Sequence, residues 1–215
     1  MSGPDSWAAL ALAPVSEVRE RSRRLARRLG YGKPPDDLPS PRVTALRSAD
    51  EILDRALVLN AVISCAYGLS TIEALDWLRR HDLLELLTDD ERDFLEDVAE
   101  GLRVEELARK LQVESLFALL WAVSLVDELD FDRGCGDEVA RLMPDVRAGD
   151  DVAELRAATS RRDADELFAA FDLATVLAAA IGDEDLQLGL SPGDVEPYVV
   201  WERRRALDWI HGAPW

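Results

Sequence analysis

The chain has 215 residues, of which 48% are hydrophobic, and its 43 acidic and 25 basic residues give a formal net charge of −18. A chain of this length buries roughly 70% of the surface it exposes when unfolded, so it needs no disulfide or metal to hold a core. The charge disfavours contact with nucleic acid or anionic membrane on the acidic body and favours a basic partner. The two cysteines have no partner at metal or redox spacing, which fits a cytoplasmic protein.

The N-terminal region is predicted to differ from the rest of the chain. Residues 1–15 form an apolar arm with Trp7, Leu10 and Leu12, which we expect to dock in a groove of the protein or of a neighbouring subunit. A single all-helical domain is predicted over residues 16–215. It begins with an arginine-rich helix at 16–29, expected to fold against the acidic body, with nucleic-acid or membrane contact as the alternative. Four prolines predict an extended connector over 31–45.

Capping signals and apolar spacing define the helices. The patterns Ser48-x-x-Glu51, Ser70-x-x-Glu73 and Thr88-x-x-Glu91 are capping boxes. Glycines at 30, 68, 101 and 182 are typical helix ends. Helices are predicted over 16–29, 49–66, 71–81, 89–100, 103–129 with a break near 111, 136–147, 150–159, 163–181 and 193–211.

The fold class follows from the same patterns. The segments 116–126 and 171–181 are apolar nearly all round and are predicted to be two central buried helices, with Trp121 in the core. No run of alternating β-branched residues occurs, so no significant sheet is expected. The sequence therefore predicts an all-α, single-domain, multi-helix bundle. Its longest apolar stretch is too short to span a membrane, and no membrane association is expected.

The usual catalytic signatures are missing. The chain has no glycine-rich phosphate loop, no nucleophile elbow and no His-Glu-x-x-His motif. Its only histidines, His81 and His211, do not have metal-ligand spacing, so we expect structural or solvent-facing roles for them, and neither a metal nor a cofactor. Paired carboxylates could support glycoside hydrolysis or magnesium binding, but 43 acidic residues produce such pairs by chance. No catalytic residue is predicted.

The acidic residues concentrate in residues 82–106, which contain 11 acidic and 2 basic residues. In the helix predicted at 89–100, Phe94, Leu95, Val98 and Leu102 form an apolar stripe. The carboxylates are either a solvated surface or a docking face for a basic protein. With one carboxylate per turn, charges are about 5.4 Å apart against about 3.4 Å in a DNA strand, so DNA mimicry requires two acidic helices side by side. The face comprises Asp89, Asp90, Asp93, Glu96, Asp97 and Glu100.

The C-terminal residues 199–210 resemble the closing motif of a bacterial helical family known as domain of unknown function 4272. The matching residues are Glu202, Arg203, Ala206, Leu207 and Trp209. Residues 21–30, 46–52, 114–122 and 135–137 are similar to other blocks of that family. The resemblance implies a helical cytosolic protein and implies no activity.

The motif residues are interpreted as structural. Trp201, Leu207 and Trp209 are expected to be apolar anchors, while Glu202 and Arg203 pair with the central helix or its neighbours. Glu114 and Trp121 belong to the matching central block, and their roles are expected to be structural too.

The charge asymmetry, the missing catalytic motifs and the resemblance together favour a non-enzymatic interaction module. The specific hypothesis is an immunity- or antitoxin-like partner of a basic effector. The alternatives are a subunit of a larger assembly, with a homo-oligomer left open, and an unrecognised carboxylate-based enzyme. A deep pocket with convergent charged groups would favour the enzyme, and a broad apolar patch would favour assembly.

Overall fold

The protein is described by a computed structural model that covers residues 14–41, 45–102, 106–181 and 196–215. Within these ranges it contains helices, turns and loops but no strand, which confirms the all-α prediction. None of the helices described is long and apolar enough to cross a membrane. The predicted arm falls almost wholly on residues 1–13, outside the described residues, as does the predicted helix end at Gly182.

The helices follow one another along the whole described chain. In chain order they are α1 (Val15–Arg28), α2 (Ala49–Ala66), α3 (Thr71–Arg80), a short 3-10 helix (Leu84–Leu86), α4 (Asp89–Ala99), α5 (Glu106–Leu111), α6 (Val113–Ala122), α7 (Val139–Leu142), α8 (Ala153–Ala158), α9 (Ala164–Ala180) and α10 (Pro197–Ile210). The helical domain divides into two compact units. Of the described residues, unit 1 comprises those within 14–47, 128–134 and 162–214, and unit 2 comprises those within 48–127, 135–161 and 215.

Unit 1 is built on the long helix α9, which packs against both α1 and α10. Every residue from 171 to 178 is buried, as is Ile181, while Ala179 and Ala180 are half-buried, so the core segment predicted at 171–181 is confirmed over most of its length. The predicted connector at 31–45 forms no helix or strand where it is described.

Unit 2 is organised around α2, which packs against α3, α4, α5 and α6. Every residue of α2 from 55 to 63 is buried. Trp121 on α6 is fully buried at 0% exposure, as predicted, and Trp77 on α3 is equally buried. The central position of α2 was not predicted, because Asp50, Glu51 and Asp54 at its N-terminal end make it less uniformly apolar than the two segments singled out.

The helix predicted over 103–129 is two shorter helices where it is described. It breaks at Gln112 and ends at Ala122. The end is set by Ser124, whose φ of 63° lets the Ser124 and Leu125 N–H groups donate to the carbonyls of Trp121 and Leu120, each at 3.0 Å. Glycine usually takes this positive-φ position at a helix end, as it does at the confirmed helix ends Gly30, Gly68 and Gly101. Because serine stands at position 124, the sequence did not predict that the helix ends there.

The capping predictions were right in two of three places. Ser48 with Glu51 and Thr88 with Glu91 form full capping boxes, whereas the Ser70 side chain makes no cap hydrogen bond. The helices predicted over 136–147 and 150–159 shorten to α7 and α8. Part of the reason is Asp145, whose carboxylate accepts from the N–H groups of Arg147 and Ala148 and stabilises a turn in place of helix.

Candidate functional site

The acidic face of α4 lies on the surface of unit 2. All six of its carboxylates are exposed, and Phe94 and Leu95 on the opposite side are 6% and 2% exposed. Leu102 does not complete the apolar stripe as predicted and is 52% exposed. The reason is that α4 ends at Ala99 and Gly101, with φ of 69°, turns the chain away. The face consists of Asp89, Asp90, Asp93, Glu96, Asp97 and Glu100.

A buried ion pair holds α4 against α2. The Glu91 side chain is 0% exposed, and its Oε1 accepts from the guanidinium of Arg55, whose side chain is 5% exposed. Glu91 Oε2 accepts from the Thr88 N–H at 2.9 Å, so one carboxylate both caps the helix and docks it. Arg55 also donates to the Leu86 carbonyl at 3.3 Å, and its guanidinium lies 4.7 Å from the centroid of the Trp215 ring. The sequence predicted the cap and missed the ion pair.

The basic side chains near α4 leave most of its charge uncompensated. Arg109 donates to both the Asp90 carboxylate at 2.7 Å and the Asp90 carbonyl at 2.8 Å. Arg92 donates to the Leu84 carbonyl and lies 3.8 Å from Glu85. Within the described part of the chain, no ion pair involves the other five carboxylates of the face. The face therefore presents five exposed carboxylates without an ion pair among the described residues.

Unit 2 also contains a cavity of about 660 Å³, between α2, the start of α6 and the loop that carries α7. This volume is within the roughly 300–1,000 Å³ of small-molecule sites. Asn60 Nδ2 donates to the Pro144 carbonyl at 3.2 Å and holds the loop to α2. The lining is mostly apolar with a few polar groups and includes Ile63, Leu69, Val113, Leu116, Val139, Met143, Val146, Asn60, Ser64, Tyr67, Cys135, Asp137, Asp145 and Arg147.

Two of the blocks that resemble the family meet beside this cavity. The Glu114 side chain is buried, and its Oε1 accepts from the Cys135 N–H at 2.8 Å. Glu114 thus holds the Cys135–Asp137 segment, which lines the cavity. No spacing rule could have predicted the cavity itself, because its wall is an irregular loop.

The two cysteines lie in different surroundings. Cys65 is buried, and burial, with a smaller effect of the Glu73 carboxylate, raises the pKa of its thiol to about 12. Cys135 is half-buried at the cavity.

In unit 1, the C-terminal motif packs as α10. Arg203 is 1% exposed, donates to the Asp130 carbonyl, and its guanidinium lies 5.7 Å from the centroid of the Phe131 ring. Ala206 and Leu207 are fully buried, and Trp209 is 9% exposed beneath the Arg47 guanidinium. These residues define the packing of unit 1.

Trp201 is not the anchor that the motif suggested, since it is 40% exposed. The buried positions of α10 occupy one face, and Trp201 lies on the opposite face. Glu202 beside it is half-buried.

The arginine-rich helix α1 folds against α9. Arg19 is 9% exposed, and its Nε donates to Asp172 Oδ1 at 2.8 Å, while Asp172 is fully buried. The same guanidinium donates to the carbonyls of Leu38 and Pro39 at 2.6 and 3.1 Å. Arg19 therefore ties the connector and α9 to α1.

The histidines lie in packed surroundings. The His211 ring stacks on Phe171 with centroids 4.5 Å apart, and its Nδ1 lies 2.7 Å from the Leu207 carbonyl oxygen. Burial lowers the pKa of His211, against the opposing effect of that carbonyl. The His81 ring lies 4.7 Å from that of Trp77. Among the described residues, no group of three or more His, Cys, Asp or Glu side chains could hold a metal ion.

Comparison with known proteins identifies one family. The model of the family described as Domain of unknown function (DUF4272) matches residues 18–215. No curated protein and no solved structure matches the chain. The match begins within α1 and continues through α10, so it includes α4, the cavity and the C-terminal motif.

Proposed function

Because the chain belongs to the DUF4272 family, whose description states no activity, we propose a function from its own surface. The protein is a non-enzymatic interaction module that binds a basic protein partner through the acidic face of α4. One observation carries this proposal: five exposed carboxylates without an ion pair among the described residues lie on a helix that the buried Arg55–Glu91 pair fixes in place. Such a surface steers a cationic partner and fixes its orientation.

A protein fits this surface better than other cationic ligands. Leu86 before α4 and Leu102 after it are 46% and 52% exposed, and Leu107 on α5 is 69% exposed. Interfaces combine apolar contacts with a charged rim, so these leucines supply area that a small cation would not use. DNA mimicry is not favoured, because the other acidic stretch of the sequence, residues 127–154 with 10 acidic and 3 basic residues, contains only the short helix α7 and the first residues of α8.

The specific form of the proposal is an immunity- or antitoxin-like role, in which the acidic face blocks a basic effector. A positively charged effector surface matches the face in sign. Co-expression with the product of a neighbouring gene tests this form directly. Rescue of growth by the wild type but not by a variant of the face supports it, and equal rescue by both refutes it.

The binding proposal itself is tested by affinity capture with two variants of equal charge. The face variant combines Asp93→Asn, Glu96→Gln, Asp97→Asn and Glu100→Gln, leaving the first turn of α4 intact. The matched variant combines Glu73→Gln, Asp132→Asn, Glu138→Gln and Glu154→Gln, which are also exposed. We expect a partner retained by the wild type and the matched variant, lost by the face variant and released by salt. Equal retention by both variants would show that α4 is not the interface.

A further inference from the structure

The cavity of unit 2 has the size of a small-molecule site, and its charged groups restrict what it could hold. Three charged residues line it: Asp137, Asp145 and Arg147. Asp145 is engaged within its own loop, since its Oδ1 accepts from the Arg147 and Ala148 N–H groups at 2.8 and 3.1 Å. The other two side chains are exposed, and within the described ranges neither of them forms an ion pair. Asp137 and Arg147 are therefore the two charged side chains of the lining that no hydrogen bond holds in place within the described ranges.

The position of these two charges suggests how they act together. Asp137 precedes α7 and Arg147 follows it, so the charges flank that short helix along the chain. Between them, Val139, Met143 and Val146 contribute apolar wall, which continues on α2 and α6 with Ile63 and Leu116. A purely apolar ligand would use neither charge, and a ligand with one charge would use only one of them. A zwitterion with an apolar body pairs both.

We propose that this cavity binds a small zwitterionic molecule with an apolar body, of the class of a dipeptide of apolar residues. The ligand's ammonium group pairs with the Asp137 carboxylate, and its carboxylate pairs with the Arg147 guanidinium. Its side chains lie against the wall formed by α2, α6 and α7. The site belongs to a different surface from the acidic face of α4, so either proposal can fail without the other.

The test is isothermal titration of the full chain with leucyl-leucine at millimolar concentration, beside its N-acetyl and C-terminal amide derivatives. We expect Asp137→Asn and Arg147→Gln each to weaken binding about tenfold, because each removes one charge-assisted hydrogen bond. Asp137→Asn should also abolish the preference for the free amine over the N-acetyl form. Arg147→Gln should abolish the preference for the free carboxylate over the amide. The matched variants Glu138→Gln and Arg141→Gln, exposed residues outside the lining, should bind as the wild type does.

A steric variant tests the cavity independently of charge. A Cβ at Gly136 would meet no atom within 4 Å, so Gly136→Phe adds a ring at the cavity wall without an immediate clash. This variant should keep the helical circular dichroism spectrum and lose leucyl-leucine binding. The proposal is overturned if the wild type releases no heat with leucyl-leucine, if Asp137→Asn and Arg147→Gln bind as the wild type does, or if Gly136→Phe still binds.

Discussion

Replacing Glu91 by glutamine tests how α4 is attached to unit 2. The substitution preserves the shape of the side chain but removes the negative charge that faces Arg55. It also replaces one carboxylate oxygen by an amide NH₂ group, so one acceptor must serve both the Arg55 guanidinium and the Thr88 N–H. Arg55 keeps its contacts with the Leu86 carbonyl and the Trp215 ring, but it loses the negative charge of the buried Glu91 carboxylate.

The expected loss is large, because a buried guanidinium loses the charge of its buried carboxylate partner. Breaking such a pair from one side costs about 3–5 kcal/mol. That is a large share of the roughly 5–15 kcal/mol by which domains are stable. For a chain of this length, the melting temperature should fall by roughly 6–20 °C. Asp76→Asn is the matched control, because the pair of Asp76 with Arg79 joins side chains that are 59% and 62% exposed, and such surface changes stay within about 0.5 kcal/mol.

Urea denaturation of a double-mutant cycle measures the pair itself. Arg55→Met should be strongly destabilising, because it leaves the Glu91 carboxylate buried and unpaired. The double variant Arg55→Met, Glu91→Leu should be more stable than either single variant, with the loss of the Glu91 half of the capping box as its main remaining cost, about 1 kcal/mol. If Glu91→Gln costs no more than Asp76→Asn, or if the two single losses add, the pair does not hold α4 and the reasoning is wrong.

Three further predictions concern other parts of the chain. A thiol reagent at pH 8 should modify Cys135 in the native protein and Cys65 only after unfolding. The reason is that burial shields the Cys65 thiol and raises its pKa to about 12, and rapid labelling of two thiols in the native state would contradict this. Stability should fall as the pH drops below about 6.5, because the unfolded chain takes up a proton that folded His211 resists, and His211→Phe should flatten that slope in denaturation curves between pH 8 and 5.5. The face variant of α4 should be more stable than the wild type in urea denaturation, with a free energy of unfolding higher by about 1 kcal/mol after allowance for solvent screening.

The features of the fold that were predictable are those set by local chemistry. The capping boxes at Ser48 and Thr88 satisfy backbone groups within four residues, so they are visible in the sequence and confirmed in the structure. The end of α6 was not predictable, because Ser124 adopts a backbone conformation that glycine usually takes. The central position of α2 depends on its contacts with four other helices and is not encoded in its own periodicity.

The candidate site shows the same division. The exposure of the α4 carboxylates followed from the apolar stripe opposite, which locates the face without any knowledge of its neighbours. The inward direction of Glu91 depends on Arg55, which lies 36 residues earlier. The cavity likewise requires Glu114 to hold the Cys135 N–H across 21 residues. Long-range pairs of this kind cannot be derived from one sequence, since any acidic residue could have been the partner.

The charges of α4 are poorly arranged for the stability of the helix itself. Asp89 and Asp90 in its first turn favour the helix dipole, whereas Glu96, Asp97 and Glu100 lie at the end where negative charge is unfavourable. Asp93 with Asp97 and Glu96 with Glu100 are also like-charge pairs one turn apart, each destabilising by about 0.2–0.5 kcal/mol. A solvated face needs no such arrangement, because basic residues at some of these positions would be equally soluble and more stable. A cationic partner would relieve the repulsion on binding, so a face variant that gains stability and loses its partner would be the signature of a binding surface. A variant that gains stability and keeps every captured partner would instead identify α4 as a solvated helix.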